Sequence, residues 1–184
     1  MRGRAALAAV TIVVAMTAGC AAEPAETEPT ETGVDSQLEY LQMHFDERNM
    51  SGFGSLEGTD CVNFTSQGLL ARGWEMTEEW WHLPVLGQHQ YSKAWVSSTA
   101  FAAYLADHPE LAAESTAAEI EVGELVQFDY DNSGNRDHTA TVSRLDGGSI
   151  FVVQHSPDAE FKPVQEVIDE HGGDGTAYFW TLTT

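Results

Sequence analysis

One cysteine and two distant histidines carry the reactive chemistry of this chain. Cys61 stands behind Asp60 in Thr59-Asp60-Cys61-Val62-Asn63-Phe64-Thr65-Ser66-Gln67-Gly68-Leu69-Leu70, His138 follows Asp137, and His155 follows Gln154. A thiol that gives its proton to an imidazole becomes a strong nucleophile, and the product of its attack on an amide is an acyl-enzyme. A cysteine in the first turn of a helix faces the positive end of the macrodipole, which lowers its pKa and favours the thiolate. Taken alone, Cys61 fits a buried structural cysteine equally well. The histidines tip the reading toward a cysteine hydrolase.

The surrounding sequence supplies elements to hold these groups. Val62, Phe64, Leu69 and Leu70 give a helix its apolar positions, and Gly73 stands where its C-cap belongs. Upstream, Asp35 or Ser36 caps a helix with Leu38, Leu41 and Phe45 on one face, ending near Asn49. Gly52, Gly54 and Gly58 make the approach to Cys61 a loop. Residues 79–84 and 91–95 read as an irregular aromatic insertion. Ser97, Ser98 and Thr99 offer caps for a helix carrying Phe101, Tyr104 and Leu105, which stops before Pro109, and residues 112–118 form an alanine-rich connection.

The period then changes. Residues 122–130, 137–144 and 149–155 read as strands, 163–170 as a short helix and 177–182 as a last strand. Asp146-Gly147 is a two-residue hairpin signal, and that loop sets His138 opposite His155, with Cβ atoms about 5 Å apart. A Gly147-Gly148 loop sets Pro157 opposite His138 instead. Helices first and an antiparallel sheet second make the fold class α+β.

The N-terminus reads as an address. Arg2 and Arg4 precede an apolar run over residues 5–16, and Thr17-Ala18-Gly19-Cys20 follows. Small residues ending in Gly-Cys resemble the bacterial lipoprotein processing box, with Thr17 in place of the usual leucine. The resemblance implies a leader over residues 1–19 and a lipid on Cys20; an ordinary secretory leader cut near Ala22 is the alternative. Residues 20–35 are acidic, proline-bearing and without apolar periodicity, a disordered tether reaching up to about 50 Å when extended. The folded domain is expected over residues 36–184. A formal charge of −21 sets nucleic acid and anionic lipid aside as direct partners.

The order of Cys61 on an early helix, His138 opening a strand and a polar residue on the next strand resembles papain-like cell-wall hydrolases of the NlpC and CHAP kinds. The chain most resembles the bacterial Putative amidase domain family, through Asp60-Cys61-Val62-Asn63-Phe64-Thr65-Ser66-Gln67, Ser92-Lys93-Ala94-Trp95, Gly123-Glu124-Leu125-Val126-Gln127-Phe128 and Asp137-His138-Thr139-Ala140-Thr141-Val142. Glu124 stands for an aspartate of that pattern, and Val62 and Thr65 also depart from it. The resemblance implies a papain-like or NlpC-type fold with Cys61 as nucleophile, His138 as base and His155 orienting the His138 ring. Gln154 or a nearby asparagine is the other candidate for that third place. Asp60, Gln67 and Gln154 fall where support for the site and its oxyanion is expected, beside backbone N–H groups at the helix start. Asp60 opposes a thiolate unless its oxygens are occupied capping helix N–H groups.

Trp80, Trp81 and Trp95 are candidates to line a cleft and stack on sugar rings, although tryptophans more often pack in a core or at its rim. Asp129, Asp131, Ser133 and Asp137 resemble the first half of a calcium loop, with Ala140 where a bidentate glutamate belongs. A polar turn is the plainer reading, so no cofactor is expected beyond this weak calcium candidate. His44, His82, His89, His108 and His171 show no zinc-like spacing. The expected protein is an exported, monomeric, membrane-anchored cysteine amidase or peptidase acting on peptidoglycan or wall peptides. A noncatalytic wall-binding module and a calcium-dependent surface protein are the alternatives.

Overall fold

The computed structural model describes residues 33–183, within a unit spanning Glu31–Thr184. The leader, Cys20 and all but the last residues of the expected tether lie outside the described residues.

Helix α1 (Val34–His44) starts from Gly33, two or three residues ahead of the expected cap, and packs along α3 (Cys61–Arg72). The approach is close because α3 has Gly68 at the crossing: a Cβ there would stand 2.9 Å from the Leu41 side chain. The short α2 (Met50–Phe53) turns the chain toward Cys61, capped by Asn49 accepting from the Gly52 N–H. At the far end of α3, Gly73 takes the left-handed conformation (φ 110°), and its N–H closes on the Leu69 and Leu70 carbonyls, as its sequence position predicts.

The expected irregular insertion is a hairpin, β1 (His82–Val85) with β2 (Gln88–Tyr91). Its two-residue turn holds Leu86 and Gly87 at φ 50° and 78°, a conformation that glycine signals and leucine hides. Helix α4 (Lys93–Val96) and helix α5 (Ser98–Asp107) follow, with the Ser97 side chain capping α5 through the Ala100 N–H.

The alanine-rich connection contains an edge strand, β3 (Ala112–Ser115). With β4 (Leu125–Asp129), β5 (His138–Asp146), β6 (Ser149–Gln154), β7 (Ala159–Pro163) and β8 (Thr176–Leu182) it forms an antiparallel sheet in the order β3-β8-β4-β5-β6-β7. Helix α6 (Val164–Asp169) lies between β7 and β8 in sequence. The α+β class holds.

Alternation along the strands divides the core. Leu125 joins Val62, Leu69, Trp95, Phe101, Leu105 and Trp180 beneath the helices, while Val126 and Phe128 join Ala140, Val142, Val152 and the α6 residues Val167 and Ile168 on the other face. Strand β4 is therefore buried on both sides, and its Leu-Val-Gln-Phe run reads almost continuously apolar.

Candidate active site

Cys61 is the first residue of α3, and His138 the first of β5. They enter the same cleft, about 500 Å³, whose other walls include Thr59, Ser98, Tyr130, Arg136 and His171. They arrive from opposite faces of the sheet. Helix α3 lies on one, and the His138 ring packs with Phe128 and Tyr130 on the other.

The partner of His138 is Gln154, through Nε2···Oε1 at 3.1 Å. Gln154 Nε2 donates to the Pro157 carbonyl at 3.0 Å, which turns the amide oxygen toward the ring. An amide oxygen only accepts, so His138 Nε2 carries the hydrogen and Nδ1 keeps its lone pair for the cleft. His155, expected in this place, is elsewhere. The hairpin loop is Gly147-Gly148 rather than Asp146-Gly147, and a bulge between Val142 and Arg144 then shifts the pairing by one residue. Beyond the bulge Thr141 faces Val153, so continuing the ladder sets Thr139 against His155 and leaves Gln154 on the His138 face.

His155 instead stacks on Phe64 of α3, ring centroids 3.6 Å apart at 11°, and holds Asp60 Oδ2 through Nδ1 at 2.7 Å. Its Nε2 donates to the His44 carbonyl at 2.9 Å. Asp60 does not cap the helix N–H groups, contrary to the expectation. Its Oδ1 accepts from the Leu56 N–H and from Asn63 Nδ2, and Arg48 Nε stands 3.6 Å from Oδ2. The carboxylate is thus occupied, and it anchors the start of α3.

The other polar residues of the cysteine motif are structural as well. Asn63 Oδ1 accepts from Trp95 Nε1, Ser66 Oγ from Trp80 Nε1, and Gln67 Oε1 from the Tyr40 hydroxyl of α1. Gln67 is therefore turned away from the cleft, and the oxyanion support expected of it is not in place. Trp80 and Trp95 are buried against one another and bonded into α3, and Trp81 does not line the cleft. The sugar-stacking expectation for this trio is corrected: in a core this crowded, each buried indole needs a partner for its N–H, and α3 supplies two of them.

The electrostatics describe a neutral pair at rest. Burial pushes the Cys61 thiol up; the Ser98 hydroxyl and the backbone N–H groups of Thr139 and Val62 act against this, and Asp60 adds to it. Burial at the mouth of the cleft outweighs the lowering expected from the helix start. Burial also depresses His138 to about 4, against a small upward pull from Gln154. Burial, and then the charge that forms on Cys61, raise Tyr130, so its hydroxyl stays protonated. Tyr130 stacks on His171 at 3.7 Å and 4°.

Among the described residues, one group of three metal-ligating side chains lies together, Asp129, Asp131 and Asp137, with ligand atoms within 4.8 Å. Asp129 accepts from the Ser133 and Gly134 N–H groups, Asp131 from Ser133, and Asp137 from Tyr130, so these carboxylates shape their own loop. Ser133 contributes through its backbone N–H and through its hydroxyl, which accepts from the Asn135 N–H. Ser98, Tyr130, Arg136 and His171 were not legible as cleft residues. Ser98 reads as a helix cap and Tyr130 as a strand end, and nothing in either stretch marks a wall of a cleft.

The fold and site together define an α+β domain with a helix-borne cysteine and a strand-borne, amide-oriented histidine facing one cleft. The chain belongs to the Putative amidase domain family, whose family model matches residues 34–180. Searches of the curated proteins and of the solved structures return no match.

Proposed function

We propose that the protein is a papain-like cysteine amidase or peptidase that hydrolyses amide bonds of cell-wall peptides outside the cytoplasm. The family supports amidase-type hydrolysis. The observation that carries the cysteine mechanism is the pairing in one cleft of Cys61 with a His138 ring whose Nε2 is held by Gln154.

In this mechanism Cys61 and His138 begin uncharged. As Sγ attacks the amide carbonyl carbon, the thiol proton passes to His138 Nδ1, and the carbonyl π electrons move to oxygen. Backbone N–H groups at the start of α3, that of Cys61 among them, stabilise the oxyanion. When the tetrahedral species collapses, the C–N bond breaks and His138 gives its proton to the departing amine. Water, deprotonated by His138, then attacks the thioester, and the Cys61 sulfur leaves and recovers its proton. Gln154 holds one tautomer throughout.

The location and substrate belong to the same proposal. They are supported by Arg2 and Arg4, the apolar run after them and Gly19-Cys20, which would make Cys20 the site of a membrane lipid. The test incubates purified peptidoglycan with the wild type and with Cys61→Ala and follows new amino groups, with fragment masses naming the bond. Release by the wild type alone is the expected result. Pelleting of both proteins with the wall, and amine release by neither, would replace the enzyme with a binding module.

A further inference from the structure

We propose that Ser98 is a catalytic residue of this cleft, the last donor of a one-way hydrogen-bond chain that ends on the reacting sulfur. The inference rests on Cys61 acting as the nucleophile. The chain begins at Trp180, whose indole nitrogen can only donate, and which does so to Gln127 Oε1 at 2.9 Å. That contact fixes the Gln127 amide, so Nε2 is the donor to both the Ser98 carbonyl at 3.0 Å and Thr139 Oγ1 at 3.1 Å. Both amide hydrogens are thereby used. Thr139 Oγ1, having accepted, gives its own hydrogen to Ser98 Oγ at 2.9 Å. Ser98 Oγ has then accepted in turn and lies 3.6 Å from Cys61 Sγ, a contact in which it can donate its own hydrogen.

Every member lies in the interior: Gln127 and Thr139 are fully buried, and Ser98 and Trp180 nearly so. The chain crosses an otherwise apolar region, between Leu125 of β4 and Phe101 of α5. Buried polar groups are costly unless satisfied, and a core of this kind is built as well from apolar side chains. A purely structural tie between α5 and the sheet would be complete at the Ser98 carbonyl. The continuation through Thr139 instead leaves one hydroxyl hydrogen over, and the sulfur is its acceptor.

Chained hydrogen bonds polarise each other, so the terminal donor is stronger than an isolated serine. While Cys61 is a thiol, Ser98 can also accept from it. Once His138 has taken the proton, the sulfur only accepts, and Ser98 must donate. Negative charge on sulfur is thus met by the Ser98 O–H together with the Thr139 and Val62 N–H groups. No bond to Ser98 forms or breaks. Ser98 touches the reacting atom, whereas Thr139, Gln127 and Trp180 act through it as positioning residues.

The test is the pH dependence of Cys61 alkylation by iodoacetamide, with Ser98→Ala, Ser98→Thr and Thr139→Val compared with the wild type and circular dichroism recording the fold. Ser98→Ala is expected to slow alkylation at pH 7 about tenfold and to move the midpoint up by about one unit. Ser98→Thr, which keeps the hydroxyl, is expected to restore most of the rate. Thr139→Val, which removes the donor to Ser98, is expected to move the midpoint the same way by less. Profiles of folded Ser98→Ala that superimpose on the wild type overturn the proposal. If Ser98→Ala does not fold, an unshifted Thr139→Val does so instead. Alkylation needs no amide substrate, which separates the two readings. A shifted midpoint with no hydrolysis by the wild type retires the amidase and leaves Ser98 its role, while hydrolysis with no shift retires Ser98 alone.

Discussion

Gln154 and His155 are neighbours in sequence and do opposite work. Gln154 lies behind the cleft wall and gives one hydrogen-bond acceptor to His138, a buried imidazole depressed to about 4, which in the proposed mechanism accepts and releases a proton. His155 points through the other face of the sheet to Asp60 and Phe64. Its Nδ1 lies against the Asp60 carboxylate and its Nε2 against the His44 carbonyl, so both ring nitrogens are occupied. A neutral amide partner leaves an imidazole free to titrate; a carboxylate and a carbonyl, sealed by an aromatic ring, lock one in place. In the proposed mechanism the first centre reacts; the second holds the start of α3 in place.

The division is open to attack on both sides. His138→Ala should lower kcat/KM for amide hydrolysis about a thousandfold with the thermal melting profile little changed, since general-base help is worth about 10²–10⁴. His155→Ala should do the reverse: about 3–5 kcal/mol lost in denaturant unfolding, because the buried Asp60 carboxylate loses the ring that holds its Oδ2. Native protein should retain much of its alkylation rate at Cys61. If His155→Ala instead abolished hydrolysis in well-folded protein, the two centres would not be separate.

The pH dependence of stability follows from the first centre. His138 titrates at about 4 when folded against 6.5 as its ordinary value, so the unfolded chain binds more protons between those values. Stability then rises with pH across that window, is complete above about 6.5, and is lost as pH falls toward 4, by on the order of 3 kcal/mol. Unfolding free energies measured from pH 4 to 7 should show this fall in the wild type and not in His138→Gln, so the two curves, close at pH 7, part toward the acid end.

Gln154→Glu sharpens the contrast by giving His138 the partner type that His155 has. The added charge favours the imidazolium, and the acid limb of kcat/KM should move upward toward neutrality, with KM little altered. The smallest effect belongs to Arg48→Ala at the rim of the second centre. Arg48 is partly exposed and shared with Asp158, so about 0.5–1 kcal/mol in urea unfolding is expected.

Much of this was legible in the sequence. Helix α3 announces itself through its apolar spacing and Gly73, and β4, β5, β6 and β8 through their alternating or continuous apolar runs. Strands β3 and β7 were missed because edge strands are short and tolerate Ala112, Glu114, Lys162 and Pro163, residues that do not mark a strand. The β1–β2 hairpin was missed because its turn runs through Leu86. At the site, Cys61 and His138 stood out by residue type and spacing, whereas Gln154 entered only as the second choice, after His155, for the partner of His138. Val142-Ser143-Arg144 reads as ordinary alternation, and a bulge leaves no mark in such a run. The tryptophans misled for a related reason, since an indole that packs and one that binds sugar look the same in sequence.

The bulge has a bearing on how such a site changes over generations. Its extra residue is Ser143, whose hydroxyl donates to the Glu160 carbonyl and lies 3.3 Å from that of Phe151. Were Ser143 paired in the register set by the hairpin loop instead of bulged, Pro157 would stand opposite His138, and His155 rather than Gln154 would share its face. The group behind His138 is therefore set by whether Ser143 is paired or looped out, not by any residue of the cleft. Loss of the Ser143 codon would remove the bulge and leave the ladder beyond it as it is, Val142 against Val152 and Thr141 against Val153, so a lineage can drop this residue and keep Gln154 behind His138.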